Sequence, residues 1–285
     1  SSIPSIKKLS DGVLICHMIC SLYFKYSMMS ESNSSFLKLE WPVPKSIGAA
    51  ISLRTGGVSE LPYKSNNMGL HVGDDPIRVN ENRDALVSCL NLENSPIWLD
   101  QVHGTDIIYA PDAKINQQSD GSFSDIKGLV CVVMTADCLP ILICNKAGTE
   151  VAAVHAGWRG LCNGVVRNTL EYFSGFNADL LVYLGPAIGA SAYEVGPEVL
   201  AQFRSMAQSD NHSQQITAAF TSSVGDSQSD RLKANLYSLA IAELNACNVS
   251  EIYGGDCCTF SEPERFYSYR RDGITGRHAS LIWIK

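Results

Sequence analysis

The chain has 285 residues, 45% of them hydrophobic and 18% charged, with a net charge of −7. That is enough apolar material for a substantial core in one domain. The acidic balance excludes a sequence-independent nucleic-acid binder, which needs a basic field, and leaves room only for a local basic pocket around a small molecule.

Lys7 and Lys8 precede an apolar stretch at residues 12–24, shorter than the ~20 residues a membrane-spanning helix needs. It resembles the apolar part of a secretion signal, but no small-residue cleavage site follows. Residues 1–40 are expected to be a leader or extension, and 41–285 a single domain. "SIGAAISLRTGGVSE" reads as a strand ending in a Gly-Gly turn, and "NNMGLHVGDD" as a glycine-punctuated loop. "PIRVNENRDALVSCLNL" opens with proline in a first helical turn and carries apolar residues at helical spacing.

"GLVCVVMTADC", "LPILICN" and "TEVAAVHAG" are short β-branched runs separated by turn residues, the signature of a buried sheet. "NGVVRNTLEYF" reads as helix, "DLLVYLGPAIG" as strand and "GPEVLAQFRSMAQ" as helix. The polar stretch from Ser209 to Asp230 is expected to be a surface insertion. "DRLKANLYSLAIAELNACNV" is the clearest helix, with Asp230 as its cap. The C-terminal "RFYSYRRDGITGRHASLIWIK" predicts two strands around a basic turn. Strands and helices mix irregularly, so the fold class is α/β in the broad sense, an α+β mixed-sheet sandwich in a single domain rather than a doubly wound sheet.

Ten cysteines lie mostly within apolar runs, without framework spacing, which predicts reduced thiols in a cytoplasmic protein. Three polar residues interrupt apolar or glycine-rich sequence: His103 in "DQVHGTD", Cys138 in "MTADCLPILIC" and His155 in "VAAVHAGWRG". Two imidazoles and a thiol are the donor set of a zinc or copper site with an open position. Each residue also has a plainer reading, Cys138 as a small buried hydrophobe and His155 as a satisfied core histidine. Their spacing matches no local metal signature. His71 fits a structural or substrate loop, whereas His212 and His278 read as solvated. Among the cations, Arg54 and Arg159 are the better anion-binding candidates, because neighbouring glycines expose backbone N–H groups. Arg270, Arg271 and Arg277 read as surface arginines paired with acids.

In order along the chain stand "LRTGGVSELPY", "NMGLHVGDDP", "DQVHGTD", "TADCLPILI", "AAVHAGWRG", "GPAIGASAYEVGPEV" and "CTFSEPERFYSYRRDGITGRHASLIW". Together they resemble the YfiH-type family, also labelled multicopper polyphenol oxidoreductase (laccase) or peptidoglycan editing factor, from Trp41 to Lys285. The resemblance implies a zinc-containing purine nucleoside phosphorylase acting on adenosine, inosine, guanosine and methylthioadenosine, with adenosine deaminase activity. It implies His103, Cys138 and His155 as both metal ligands and catalytic residues, with zinc as the cofactor and copper as the alternative. The substrate-binding set is Arg54, Asn67 and Arg159. The expected partners are a nucleoside and phosphate, with no nucleic acid and no membrane, and the expected state is a monomer or weak homodimer. In a metal-free variant of the chemistry, His155 activates Cys138 as a nucleophile. The alternatives are a hydrolase editing a UDP-muramyl amino acid precursor, a copper polyphenol oxidoreductase, and a structural metal site completed by His71 or Cys258.

Overall fold

The structure is a computed structural model and describes residues 35–114, 117–222 and 231–285; residues 1–34 of the expected leader lie outside them. Four strands form one antiparallel sheet in the order β1 (Phe36–Leu37), β2 (Ile47–Ser52), β13 (His278–Ile284), β5 (Val130–Thr135). The sheet therefore begins at Phe36, ahead of Trp41. A second, six-stranded sheet runs β12 (Glu251–Gly254), β8 (Leu180–Leu184), β6 (Leu139–Asn145), β7 (Val151–Ala156), β4 (Gly121–Ser124), β3 (Ile107–Tyr109). Its outer pairs are parallel and its inner pairs antiparallel.

Side chains alternate between the faces of a strand, and here both faces are apolar. Ile141 and Ile143 of β6 pack under the helices, while Leu142 and Cys144 pack against Ile51, Val133 and Ile282 of the first sheet. The helical layer includes α2 (Trp158–Asn163) and α3 (Val165–Leu170). The outer face of the first sheet is covered by α1 (Pro76–Cys89), capped by the Asp75 carboxylate on the Ile77 N–H. The result is a helix–sheet–sheet–helix sandwich, the mixed architecture expected from the irregular alternation of elements. Burying each large aliphatic side chain contributes about 1.5–3 kcal/mol. The twice-covered centre of the larger sheet is thus a firm mount for residues at its ends.

Several expectations need correction. The Ser209–Asp230 stretch is not only a surface insertion. Asp210–Ala218 is a helix, with Ser209 capping the His212 N–H and with His212 and Ile216 buried. We label it α5, after α4 (Pro197–Ser205). Strand β10 (Phe220–Ser222) follows α5 and pairs with β11 (Leu232–Ala234), which in turn pairs with β9 (Glu194–Val195). The pairing of β11 removes the expected first turn of the next helix. That helix, α6 (Leu236–Ala246), starts instead at Asn235, whose side chain accepts the Ser238 N–H; Asp230 lies outside the described residues. Near the C-terminus only β13 is a strand. Phe266 and Tyr267 are buried without strand pairing and lead into the short helix α7 (Tyr269–Asp272). His278 is not solvated either: Tyr267 N–H donates to its Nε2 at 2.7 Å, its Nδ1 lies 3.0 Å from the Ser52 carbonyl, and burial pushes its pKa down to about 3. No helix among the described residues is long and apolar enough to cross a membrane.

Candidate metal centre

The register of three neighbouring strands gathers the site. β6 pairs with β7 so that Leu139 faces Ala156 and Pro140 faces His155, which sets Cys138, one residue ahead of β6, across from Gly157. β4 pairs with β7 from the other side, Gly121 opposite Val154, which sets Asp120 beside His155. The His155 N–H donates to the Asp120 carbonyl at 2.7 Å. A slip of one residue in either pairing would send these side chains to the opposite face.

His103 arrives from a loop ahead of β3, in the left-handed conformation at φ 61°. The loop is held by one carboxylate. Asp120 Oδ1 accepts the His103 N–H at 2.9 Å, and Oδ2 accepts those of Gly104 and Val102 at 2.6 and 3.3 Å. The same carboxylate lies 2.7 Å from His155 Nδ1. Placing a proton on Nδ1 leaves the Nε2 lone pair for the site, the usual arrangement behind a metal-bound imidazole. Burial pushes the Asp120 pKa up, but His155 and the N–H groups of Gly104 and Val102 outweigh it and keep the carboxyl below its usual range.

Cys138 sits in the turn between β5 and β6. Asp137 in that turn adopts φ 87°, a region that short polar side chains tolerate better than most. Its carboxylate accepts the Thr259 hydroxyl at 2.6 Å and the Arg270 N–H at 2.6 Å, clamping the turn against the C-terminal segment. The Sγ of Cys138 lies 3.7 Å from His103 Nε2. The His103 and His155 rings meet edge to face with centroids 4.7 Å apart. Donor atoms of all three residues fall within 4.8 Å of one another. Two glycines make this approach feasible: a Cβ on Gly157 would come 2.9 Å from His103 Cδ2 and 3.1 Å from Cys138 Sγ, and one on Gly160 would come 2.7 Å from the Gly104 carbonyl oxygen.

This donor set fits one zinc-sized ion. Bond lengths of about 2.3 Å to sulfur and 2.0–2.1 Å to nitrogen, at a tetrahedral angle, put the two donors about 3.6 Å apart, close to the 3.7 Å between Cys138 and His103. Neither His71 nor Cys258 joins the cluster; among the described residues it offers three protein ligands, as in catalytic rather than structural sites. Without an ion, burial opposes the Cys138 thiolate, but His155 and His103 outweigh it and draw the thiol down to about 6. Burial likewise disfavours the His155 cation, yet Cys138 and Asp120 raise its pKa to about 9.

The expected substrate-binding residues are less concentrated. Arg54 donates from Nη1 to the Pro263 carbonyl at 2.7 Å and from Nη2 to the Lys64 carbonyl at 3.3 Å. Asn67 is buried, and its amide is fully used: it donates to the Gly69 carbonyl and Asp74 and accepts the N–H groups of Gly69 and Arg277. Arg159 is exposed, with its guanidinium 4.6 Å from the Trp158 ring. Sequence reasoning missed Asp120 and the clamping role of Asp137. Asp120 stands in "QSDGSF", which reads as a turn, and its partners appear only once the strands are paired. The acidic neighbour of Cys138 was a visible oddity, but its partners Thr259 and Arg270 were not.

Residues 48–285 match the family described as multi-copper polyphenol oxidoreductase laccase. The chain belongs to this family. A relative from Shigella flexneri named purine nucleoside phosphorylase YfiH is 47% identical over 252 residues, 88% of this chain and 99% of the relative. One from Pseudomonas aeruginosa, also named a purine nucleoside phosphorylase, is 44% identical with the same coverage. The crystal structure of a Neisseria meningitidis protein, 42% identical, matches with a TM-score of 0.81 over 88% of this chain and 100% of that one. The several coppers in the laccase family's description do not fit the donors here. The chain has six histidines, and the described residues group into one three-donor cluster. His212 and His278 are buried elsewhere against Glu243 and the Ser52 carbonyl.

Proposed function

We propose that the chain is a zinc-dependent purine nucleoside phosphorylase that takes adenosine, inosine, guanosine and methylthioadenosine, with adenosine deaminase activity at the same centre. One observation carries this reading: a three-donor His103–Cys138–His155 cluster backed by Asp120, in a chain 44–47% identical to purine nucleoside phosphorylases over nearly their whole length. Copper is the alternative occupant. A bound zinc ion would supply Lewis acidity and acidify water at the open position.

The chain's own residues do the rest. Asp120 holds the proton on His155 Nδ1, fixing the ring so that Nε2 faces the donors. His155 and His103 keep Cys138 as a thiolate, the form a metal requires. Trp158 and Arg159 offer a stacking face and a cation at the start of α2. We assign Arg54 and Asn67 to shaping the surrounding loops, because their hydrogen bonds run to backbone groups and to Asp74. The partners are a nucleoside and phosphate, the compartment the cytoplasm, and the state a monomer or weak homodimer. The eight described cysteines are all free thiols, which supports a reducing compartment.

Release of adenine from adenosine only when phosphate is present, by purified protein containing zinc, tests this reading. Base release independent of phosphate contradicts it. The acidified Cys138 beside a cationic His155 favours a second reading, an amide hydrolase on a cell-wall precursor with Cys138 as nucleophile. Turnover of a UDP-muramyl amino acid that survives complete chelation would select it.

A further inference from the structure

Arg277 stands one residue ahead of β13, whose register with β5 puts His278 opposite Thr135. Arg277 is therefore set across from Ala136, at the start of the turn that carries Asp137 and Cys138. Its backbone is fixed on both sides: its N–H donates to Asn67 Oδ1 at 2.9 Å, and its carbonyl accepts the Met68 N–H at 3.0 Å. The guanidinium is half-buried and spends Nη1 on the carbonyls of Thr275 and Gly276, at 3.1 and 3.0 Å.

Among the described residues, Arg277 shares the lack of a carboxylate counter-ion with Arg54, Arg83, Arg159, Arg204 and Arg270, and the register of β13 with β5 sets it across from the turn that carries Cys138. Arg78, Arg167, Arg265 and Arg271 each have a carboxylate within 4.0 Å, whereas Arg277 has none among the described residues. Asp137, one residue past the Ala136 that Arg277 faces, already accepts from Thr259 and Arg270. His71 shares the rim. A Cβ on Gly69 would lie 2.9 Å from Arg277 Cγ and 3.4 Å from His71 Cε1, so the two side chains flank bare backbone. Both also reach the centre electrostatically, Arg277 through Cys138 and Asp137, and His71 through His155.

A half-buried cation without a counter-ion is costly unless an anion completes it. The unspent edge of a guanidinium presents parallel donors that match two oxygens of a phosphate. We propose that Arg277, flanked by His71, is the oxyanion subsite that receives inorganic phosphate beside the His103, Cys138 and His155 centre. The proposal rests on the phosphorolytic reading for its purpose. There, an oxygen of hydrogenphosphate forms a bond to C1′ of the sugar as the C1′–N9 bond breaks. The bonding pair leaves with the purine, and the phosphate's own proton ends on the released base.

The test compares wild type, Arg277→Gln, Arg277→Lys and His71→Asn as zinc-loaded proteins. Inorganic phosphate binding is followed by phosphorus NMR, and inosine turnover by initial rates. Loss of a hydrogen-bonded pair to a charged group corresponds to about tenfold or more. Arg277→Gln should raise both the phosphate Kd and the phosphate KM by that factor, with inosine KM within about twofold. Arg277→Lys should recover part of the loss, and His71→Asn, which touches none of the loop carbonyls, should weaken phosphate by a smaller factor. Unchanged phosphate affinity in a folded Arg277→Gln protein overturns the proposal. So does affinity that ignores Arg277 but vanishes on chelation, because the anion then sits on the metal. If Arg277→Gln does not fold, the lysine variant and His71→Asn decide by the same readouts. Arginine-dependent phosphate binding without phosphorolysis in wild type upholds the subsite and removes the phosphorylase reading alone.

Discussion

Replacing Asp120 by asparagine probes the design of the centre without touching a metal donor. The carboxylate is fully buried and accepts from two directions. Oδ1 faces His155 Nδ1 and the His103 N–H, and Oδ2 faces the N–H groups of Gly104 and Val102. An isosteric amide retains only one oxygen. Whichever way it turns, its NH2 meets donors on one side, so either the His103 loop or the His155 tautomer is lost. Removing one member of a buried charged pair costs about 3–5 kcal/mol. Because asparagine keeps half of the acceptor positions, a loss of about 2–3 kcal/mol in unfolding free energy is expected for the metal-free protein. Zinc affinity should fall by about 10–100-fold, the usual effect of losing the group behind a ligating histidine. Denaturant melts of the chelated protein and competition with a calibrated zinc chelator measure the two effects. Wild-type zinc affinity in a folded Asp120→Asn protein would refute the claim that this carboxylate organises both histidines.

Three further outcomes follow from the geometry. In metal-free protein the Cys138 pKa is lowered from 9.0 to about 6 and that of His155 raised from 6.5 to about 9, so the thiolate–imidazolium pair exists between about pH 6 and pH 9. The thiolate contribution to stability is lost as pH falls through about 6, and the imidazolium contribution as pH rises through about 9. Alkylation of Cys138 should switch on near pH 6, and onset near pH 9 would contradict the pairing. Gly157→Ala places a methyl 2.9 Å from His103 and 3.1 Å from Cys138; at φ −66° the backbone tolerates it. Overpacking should then cost about 1–3 kcal/mol and sharply reduce zinc content, whereas full zinc occupancy would show that the donors need no such closeness. Glu243 is buried 3.3 Å from His212 Nε2, and burial raises its pKa from 4.5 to about 7. Stability is therefore fully present below pH 4.5 for this group and declines as pH rises through about 7. Glu243→Gln should remove that decline, and an identical pH profile for both proteins would disprove it.

Much of the centre was legible because its chemistry is local. A thiol and two imidazoles among apolar and small residues stand out against a core, and "HAGWRG" announces close approach through its glycines. The central strands were equally plain: β6 and β7 are apolar on both faces, which only a twice-covered sheet explains. The strand order was not legible, because it depends on pairings between distant segments such as β3 with β4. Asp120 was hidden for the same reason. Local periodicity also misled where tertiary pairing took over. Leu232 lies at helical spacing from Leu236 but belongs to the strand that joins β9 and β10. His212 and His278 have polar neighbours in sequence, yet α6 covers the first and β2 the second. Arg277 read as one more surface cation in a basic turn, since nothing along the chain reveals which arginines find a carboxylate.

The most direct measurement is X-ray absorption spectroscopy on the purified protein, combined with elemental analysis of wild type and Cys138→Ala. One zinc per chain, with one sulfur at about 2.3 Å and two imidazole nitrogens at about 2.0–2.1 Å, and its loss together with activity in a folded Cys138→Ala protein, is the expected result. A metal shell without sulfur, several coppers per chain, or full activity in the alanine variant would contradict the account.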